Sequence, residues 1–395
     1  MIVRNFILGL SLAFAPALFP QTFAPSVLHE QSNTRKNIES QLATEERLRE
    51  PGWWPTRRDA SRNDFIGSAA CINCHRAIGE SQAATPMAQA AATAVHSRVL
   101  RQRGNVATDA GAYSYSIVSS GAESRYSVRA GAAALTVPLS WAFGLGNKGQ
   151  TFVYKRGDRF FESRMSFYAS LQNLALTTGH SLNPPADLEA ALGQPISVEP
   201  LRKCFGCHTT GSDAAEGFDP DQATPGVGCE SCHGPGGRHA TLMSEQNLEE
   251  GRQAIFNPVR LGPVALVDFC GACHRTWSDV NEMNLSGVAN VRFQPYRLEN
   301  SRCWGNGDAR LSCLACHDPH KQVVKDSSFY DAKCLACHAS GRQEKPRPDR
   351  PGKACPVKQK GCANCHMPKV LLPSMYSTFV DHEIRVVKPH ANYPD

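Results

Sequence analysis

Long runs of one charge sign are missing from the 395 residues, and so is any apolar run long enough to span a membrane. Lys and Arg total 42 against 36 Asp and Glu, a formal net charge of +6 spread along the chain. Scattered cations of this kind belong to a solvated surface, whereas nucleic-acid binding and polybasic membrane patches need them in blocks. Bulky side chains are scarce too, with apolar residues at 41% and aromatics at 8%. A chain long enough for two or three domains ordinarily buries more, so something other than side chains is expected to fill part of the core. The one continuous apolar segment, Phe6 to Phe19, follows Arg4 and ends among small residues around Ala17 and Ala24. It falls short of the roughly 20 residues a spanning helix needs, and its layout is that of a secretory signal. No cysteine directly follows it, which leaves lipid attachment at a mature N-terminal cysteine unsupported. The expectation is an exported, soluble protein with a signal at 1–24 and an exposed, Pro-punctuated linker at 25–66.

Cysteine, by contrast, is abundant, at 16 residues. Fourteen of them fall into one repeated pattern: Cys71-Ile-Asn-Cys74-His75, Cys204-Phe-Gly-Cys207-His208, Cys229-Glu-Ser-Cys232-His233, Cys270-Gly-Ala-Cys273-His274, Cys313-Leu-Ala-Cys316-His317, Cys334-Leu-Ala-Cys337-His338 and Cys362-Ala-Asn-Cys365-His366. C-x-x-C-H is the attachment signal for haem c, in which two thiols form thioethers with the vinyl groups and the adjacent histidine supplies an axial imidazole to iron. Two intervening residues bring both sulfurs to one edge of the macrocycle, and the histidine then projects onto the metal from the same side. Zinc ribbons and disulfide frameworks also use paired cysteines, but neither demands a histidine after every second one. Seven covalently bound haems are therefore expected. Their ionised propionates would make the loaded protein more acidic than its sequence and give the basic residues partners.

One motif stands near the front, within a first haem segment at 67–103, and six lie between Cys204 and His366, in a hexahaem domain at 173–395. At that density haem itself is expected to be the core, with short motif-bearing helices divided by turns such as Gly234-Pro-Gly-Gly237 and Asp318-Pro319. Between them, Tyr113–Val118, Arg125–Arg129, Ala134–Val137, Thr151–Tyr154 and Phe160–Phe167 are short, β-branched or aromatic, and separated by Gly-rich turns. They read as an antiparallel β insertion over 104–172, packed as a scaffold over haems rather than as a docking surface. The expected fold class is thus α-rich, a multihaem cytochrome c fold of low regular secondary structure with a small antiparallel β insertion.

A second axial ligand decides what each haem does, because six-coordinate iron passes electrons while an open position binds small molecules. Seven histidines lie outside the motifs: His29, His96, His180, His239, His320, His382 and His390. His320 and His239 follow His317 and His233 too closely for the chain to travel round a macrocycle to the opposite face of the same iron, so each is expected to ligate a neighbouring haem. His382, after the last motif, His180, in Thr-Thr-Gly-His, and His96, on an Ala-rich stretch read as helix, complete the candidate distal set. His390 lies near the chain end and His29 in the linker, which argues against both. The two cysteines outside the motifs, Cys303 and Cys355, are expected to form a disulfide in an oxidising compartment.

Gly67-Ser-Ala-Ala-Cys-Ile-Asn-Cys-His75, Cys229-Glu-Ser-Cys-His-Gly-Pro-Gly-Gly-Arg-His239, Ser301-Arg-Cys303, Leu311-Ser-Cys-Leu-Ala-Cys-His-Asp-Pro-His320, and Cys365-His-Met-Pro-Lys369 with Asp381-His-Glu-Ile-Arg385 resemble the bacterial multihaem cytochromes related to the tetrahaem electron acceptor of hydroxylamine oxidoreductase. The resemblance covers nearly all of the mature chain. It implies a periplasmic or cell-surface electron carrier, working between redox partner proteins such as other cytochromes or a quinol-linked donor, with His239, His320 and His382 as distal ligands. It also brings in Met87 of Thr85-Pro-Met-Ala88 as a competing ligand for the first haem, although a helical methionine is more often packing. The rival is an enzyme that reduces nitrite, hydroxylamine or a sulfur oxyanion at one open haem, with Lys155, Arg156, Arg159 or Tyr168 available to line its pocket. The absence of a C-x-x-C-K variant and the count of seven motifs rather than eight weigh against it.

Overall fold

A computed structural model of the chain describes residues 60–304, 311–338, 355, 357–388 and 393–394. The signal segment, most of the linker, His29 and His390 lie outside the described residues.

The first half of the molecule is a sheet of ten strands, all paired antiparallel. In chain order they are β1 (Ala91–Thr93), β2 (Asn105–Ala110), β3 (Tyr113–Ser120), β4 (Glu123–Ala130), β5 (Ala133–Phe143), β6 (Gly149–Arg156), β7 (Arg159–Ser163), β8 (Met165–Tyr168), β9 (Asn173–Leu176) and β10 (Gly193–Ile196). The path runs β10-β7-β6-β5-β4-β3-β2, with β1 beside β5, and β8 joining β6 to β9. Four of the hairpins turn on two residues that begin with glycine, at Gly111, Gly121, Gly131 and Gly157, each with φ between 57° and 63°. Only glycine takes that conformation without strain, and it places the turn in the class whose twist matches paired strands.

This sheet overturns the expected fold class. The molecule is a mixed α/β protein built on a ten-stranded antiparallel sheet, not an α-rich one with a small insertion. The missed strands explain the misjudged size. Ala91–Thr93 and Gly193–Ile196 carry alanine, glycine and proline, which have little strand preference of their own, and they are recruited by pairing with Trp141–Phe143 and Phe160–Ser163. Pro195 is tolerated because β10 is an edge.

The sheet has two apolar faces. On one, Ile117 and Val137 flank Tyr126, while Val128 lies opposite Tyr115. With Phe152, Tyr154 and Leu192 they form a core from which water is excluded. On the other face Trp141, Phe143, Val153 and Phe160 pack against Leu201 and Phe205. These last two sit on the helix Val198–His208, whose final turns are the second motif. Phe205 is fully buried, with rings of Trp141 at 5.0 Å and Phe143 at 5.2 Å edge-on to it. The second haem motif is thus fastened to the side-chain core of the sheet.

Residues beyond 198 are short helices and turns. Every motif lies on or at the end of a helix: Ser68–Ile72, Val198–His208, Cys229–His233, Pro263–His274, Cys313–Cys316, Asp331–His338 and Cys362–His366. A hairpin of Lys369–Leu372 with Ser377–Val380 leads into the extended segment that carries His382. Among the described residues no helix is long and apolar enough to cross a membrane. Cys303 and Cys355 are unbonded in this structure, as are all the motif cysteines. Cys303 lies within electrostatic reach of Cys337 and Cys316, whereas Cys355 is held by the backbone of Lys358 and Val357.

Candidate haem centres

A helical turn places residues three and four apart on one face, so both cysteines and the histidine of each motif point the same way. The first and fifth motifs leave the helix early, yet the His75 and His317 amides still bond to the carbonyls of Cys71 (2.8 Å) and Cys313 (2.9 Å), which keeps that geometry.

Carboxylates dock the motifs to one another. Glu230, buried within the third motif, accepts hydrogen bonds from the amides of Ile66 (2.9 Å), Gly67 (2.8 Å) and Gly236 (2.8 Å), and the Ser68 hydroxyl accepts one from Cys229 (3.2 Å). The first and third motifs are thereby joined at their helix starts. Asp331, which opens the helix of the sixth motif, accepts from the amides of Gly361 (2.8 Å) and Cys362 (2.9 Å) at the start of the seventh. Those two amides hold its pKa below the usual carboxylate range.

The thiols show how the motifs follow one another. Cys71 is pushed up to about 11 by burial and then by the Cys229 thiol beside it. Cys232 acts on both Cys270 and Cys273. The Cys207 thiol meets the Ala272 carbonyl at 3.7 Å, and Cys313 packs against the cluster of Val264 and Val267 on the helix of the fourth motif. Burial and then the Cys316 thiol raise the pKa of Cys334, and burial, Asp331 and the Cys334 thiol bring Cys362 up to about 11. The motifs therefore form one connected series in the order first, third, fourth, fifth, sixth, seventh, with the second joining at the fourth.

Three motif histidines face a second imidazole. Ring centroids are 6.3 Å apart for His75 and His239, 6.1 Å for His233 and His320, and 6.3 Å for His317 and His382. An imidazole nitrogen sits about 2.0 Å from a bound metal and about 1.1 Å from its own ring centre, so two imidazoles sharing one metal have centres about 6.2 Å apart. The three pairs have that spacing. Their orientation is also fixed. The Nδ1 atoms of His208, His233, His239, His366 and His382 are bonded to the carbonyls of Ala90 (3.0 Å), Phe256 (2.8 Å), Gly251 (2.7 Å), Arg385 (2.8 Å) and Val380 (3.0 Å). A carbonyl only accepts, so Nδ1 carries the proton and Nε2 keeps its lone pair for a metal. Burial lowers the pKa of His208, His233, His274 and His317, and brings His382 down to about 4, which keeps these rings neutral. The donor set therefore fits haem: two cysteines and a histidine on one face of each motif, and at three motifs a second imidazole at the spacing of two ligands sharing one metal.

His180 and His96 have polar partners of their own. His180 is buried, and its Nε2 donates to Glu162 at 2.9 Å. His96 ends a 3-10 turn, Ala94–His96, rather than riding an Ala-rich helix, and its Nδ1 lies 2.9 Å from the Thr93 hydroxyl. Met87 is half-buried. Lys155 pairs with Asp221 and Arg156 with Glu189, Arg159 lies over the Phe161 ring, and the Tyr168 hydroxyl donates to the Leu176 carbonyl. The orienting carbonyls were invisible to sequence reasoning because every residue carries one; Glu230 had a signal, a carboxylate inside a motif.

Residues 172–234, which include the second and third motifs, match the family model described as cytochrome c554 and c-prime. Over 145 residues the chain is 24% identical to the multihaem cytochrome MtrA of Shewanella baltica (strain OS185), a stretch covering 36% of each protein. The chain is a multihaem c-type cytochrome. It spans only about a third of that curated relative. The crystal structure of the outer cell wall cytochrome OcwA superposes on 82% of the cytochrome described here and 80% of its own chain, with a TM-score of 0.45 and 15% identity.

Proposed function

We propose that the protein is a seven-haem electron carrier that works outside the cytoplasm and passes electrons between redox partner proteins. The observation that carries this reading is the docking of the motifs against one another, first on third, third on fourth, second and fifth on fourth, sixth on seventh, which would put macrocycles side by side. In this reading His75, His208, His233, His274, His317, His338 and His366 are the proximal ligands, and His239, His320 and His382 are the distal ligands of the first, third and fifth haems. These three histidines follow the third, fifth and seventh motifs, so ligation would tie the first haem to the third motif's segment, the third haem to the fifth's and the fifth haem to the seventh's, and would close those three irons to outside molecules. The layout of the signal segment supports a place in the periplasm or at the cell surface. The family phrases around Cys229, Leu311 and Asp381 support a finer kinship, with the cytochromes that accept electrons from hydroxylamine oxidoreductase.

Electron paramagnetic resonance of the oxidised holoprotein, with haem quantified and nitrite or hydroxylamine added in parallel, tests the reading. Low-spin haems indifferent to both additions are expected. A stoichiometric high-spin signal that shifts on addition would replace the carrier with a reductase.

A further inference from the structure

Arg297 heads the fully buried side chains of the described molecule in volume, and it is a cation. Its guanidinium grips two carboxylates. Nε donates to Asp381 Oδ1 at 2.9 Å and Nη2 to Asp381 Oδ2 at 3.1 Å, a two-point fork, while Nη2 also reaches Glu383. Asp381 is itself wholly buried and takes a further bond from Arg385. The Tyr393 ring lies 4.7 Å beneath the guanidinium, and the Pro394 carbonyl accepts from Nη1 at 3.2 Å.

A buried ion pair is a poor way to gain stability, because desolvation offsets most of the attraction and an apolar filling does as well; its strength is in fixing one geometry. What lies between the two gripped carboxylates is His382. The same helical turn holds the residue a second time: the Ser301 hydroxyl donates to the His382 carbonyl at 3.0 Å and accepts from the Ile384 amide at 2.8 Å. With Nδ1 on the Val380 carbonyl at 3.0 Å, the imidazole is left little freedom in either backbone or ring rotation. The segment also reaches onward, since the Arg385 carbonyl accepts from His366 Nδ1 at 2.8 Å.

We infer that Arg297 is the positioning residue of the fifth haem: by holding Asp381 and Glu383 together it sets the distance and rotation at which His382 meets the iron opposite His317. This rests on the reading of His382 as that haem's distal ligand. Lysine, with one point of charge on a flexible stem, cannot hold both carboxylates in register.

The experiment compares wild type, Arg297→Lys and His382→Ala as purified holoproteins of equal haem content, by electron paramagnetic resonance with and without imidazole. Arg297→Lys is expected to show one further high-spin haem per molecule than wild type, returned to low spin by imidazole. The double variant is expected to show no more than His382→Ala alone. A folded Arg297→Lys protein with the wild-type spectrum, beside a His382→Ala protein that gains the high-spin haem, overturns the positioning role and leaves the ligand in place. A His382→Ala protein with an unchanged spectrum removes the ligand itself, and the positioning role with it. Should Arg297→Lys fail to accumulate, Ser301→Ala loosens the same segment while leaving the buried arginine and its carboxylates in place: a partial, imidazole-reversible high-spin signal is expected, and an unchanged spectrum contradicts the inference.

Discussion

Replacing Phe205 with alanine tests whether the sheet carries the second haem motif. The ring is wholly withdrawn from solvent and meets Trp141, Phe143, Phe160 and Phe218 at centroid distances of 5.0, 5.2, 6.4 and 5.9 Å, all close to perpendicular. Removing a buried phenylalanine costs about 3–5 kcal/mol, the loss of transfer free energy plus the cavity left behind. The rigid neighbours here are poorly able to collapse, which places the expectation in the upper half of that range. His208 is one ring away from that cavity, edge-on at 5.6 Å to the Phe143 that Phe205 touches. Loss of stability should thus be accompanied by a change at one haem. Guanidinium unfolding of the holoprotein, followed both in the far ultraviolet and in the haem bands, reads the two effects together. Phe329→Ala is the size-matched control, since that ring is 50% exposed and its removal should cost about 0.5 kcal/mol or less. A loss below about 1 kcal/mol for Phe205→Ala, or a loss no greater than the control, would refute the claim that this ring fastens the motif to the sheet.

Substituting His239 by methionine should leave the haem content unchanged and raise the potential of one haem, because a thioether is a weaker donor to ferric iron than imidazole; a potentiometric titration identical to wild type would contradict its assignment to the first haem. Acid should loosen the fifth centre. Burial brings the His382 imidazole down to about 4 from an ordinary value of about 6.5, so between these the unfolded chain binds the extra proton, and protonation removes the lone pair offered to the iron. The stability it contributes is fully present above about 6.5 and is lost as the pH falls towards 4. Denaturation midpoints measured across that window should fall with acid in wild type and fall less in His382→Ala. Cys303 and Cys355 should both be alkylated in the unfolded holoprotein without reductant, as read by peptide mass mapping, and protection of both would restore the disulfide.

The repeated cysteine spacing made the candidate attachment sites legible because two thioethers and the following axial histidine fix the order and spacing of three side chains. The sheet was legible only where its strands carry tyrosine, valine and phenylalanine, as at Tyr113–Val118. It was not legible at Ala91–Thr93 or Gly193–Ile196, where pairing rather than propensity makes the strand. Short spacing alone sends His239 and His320 away from their own motifs, but which motif each reaches depends on how helices dock, through groups such as Glu230 and Ser68 whose partners lie more than 150 residues away. His180 shows the converse. Its Thr-Thr-Gly-His setting looks like a ligand's, and only folding reveals that Glu162 takes its Nε2. Arg297 carries no signal at all, being one arginine among many until the chain brings Asp381 beneath it.

Protein-film voltammetry of the holoprotein tests the central claim most directly, because the electrode reaches the molecule at one face and every other haem only through its neighbours. If the seven motifs hold haems in one connected series, the charge passed per adsorbed molecule is seven electrons in each direction, with no catalytic current when nitrite or hydroxylamine is added. A plateau at fewer electrons would contradict the connected series, and a catalytic current would contradict the carrier.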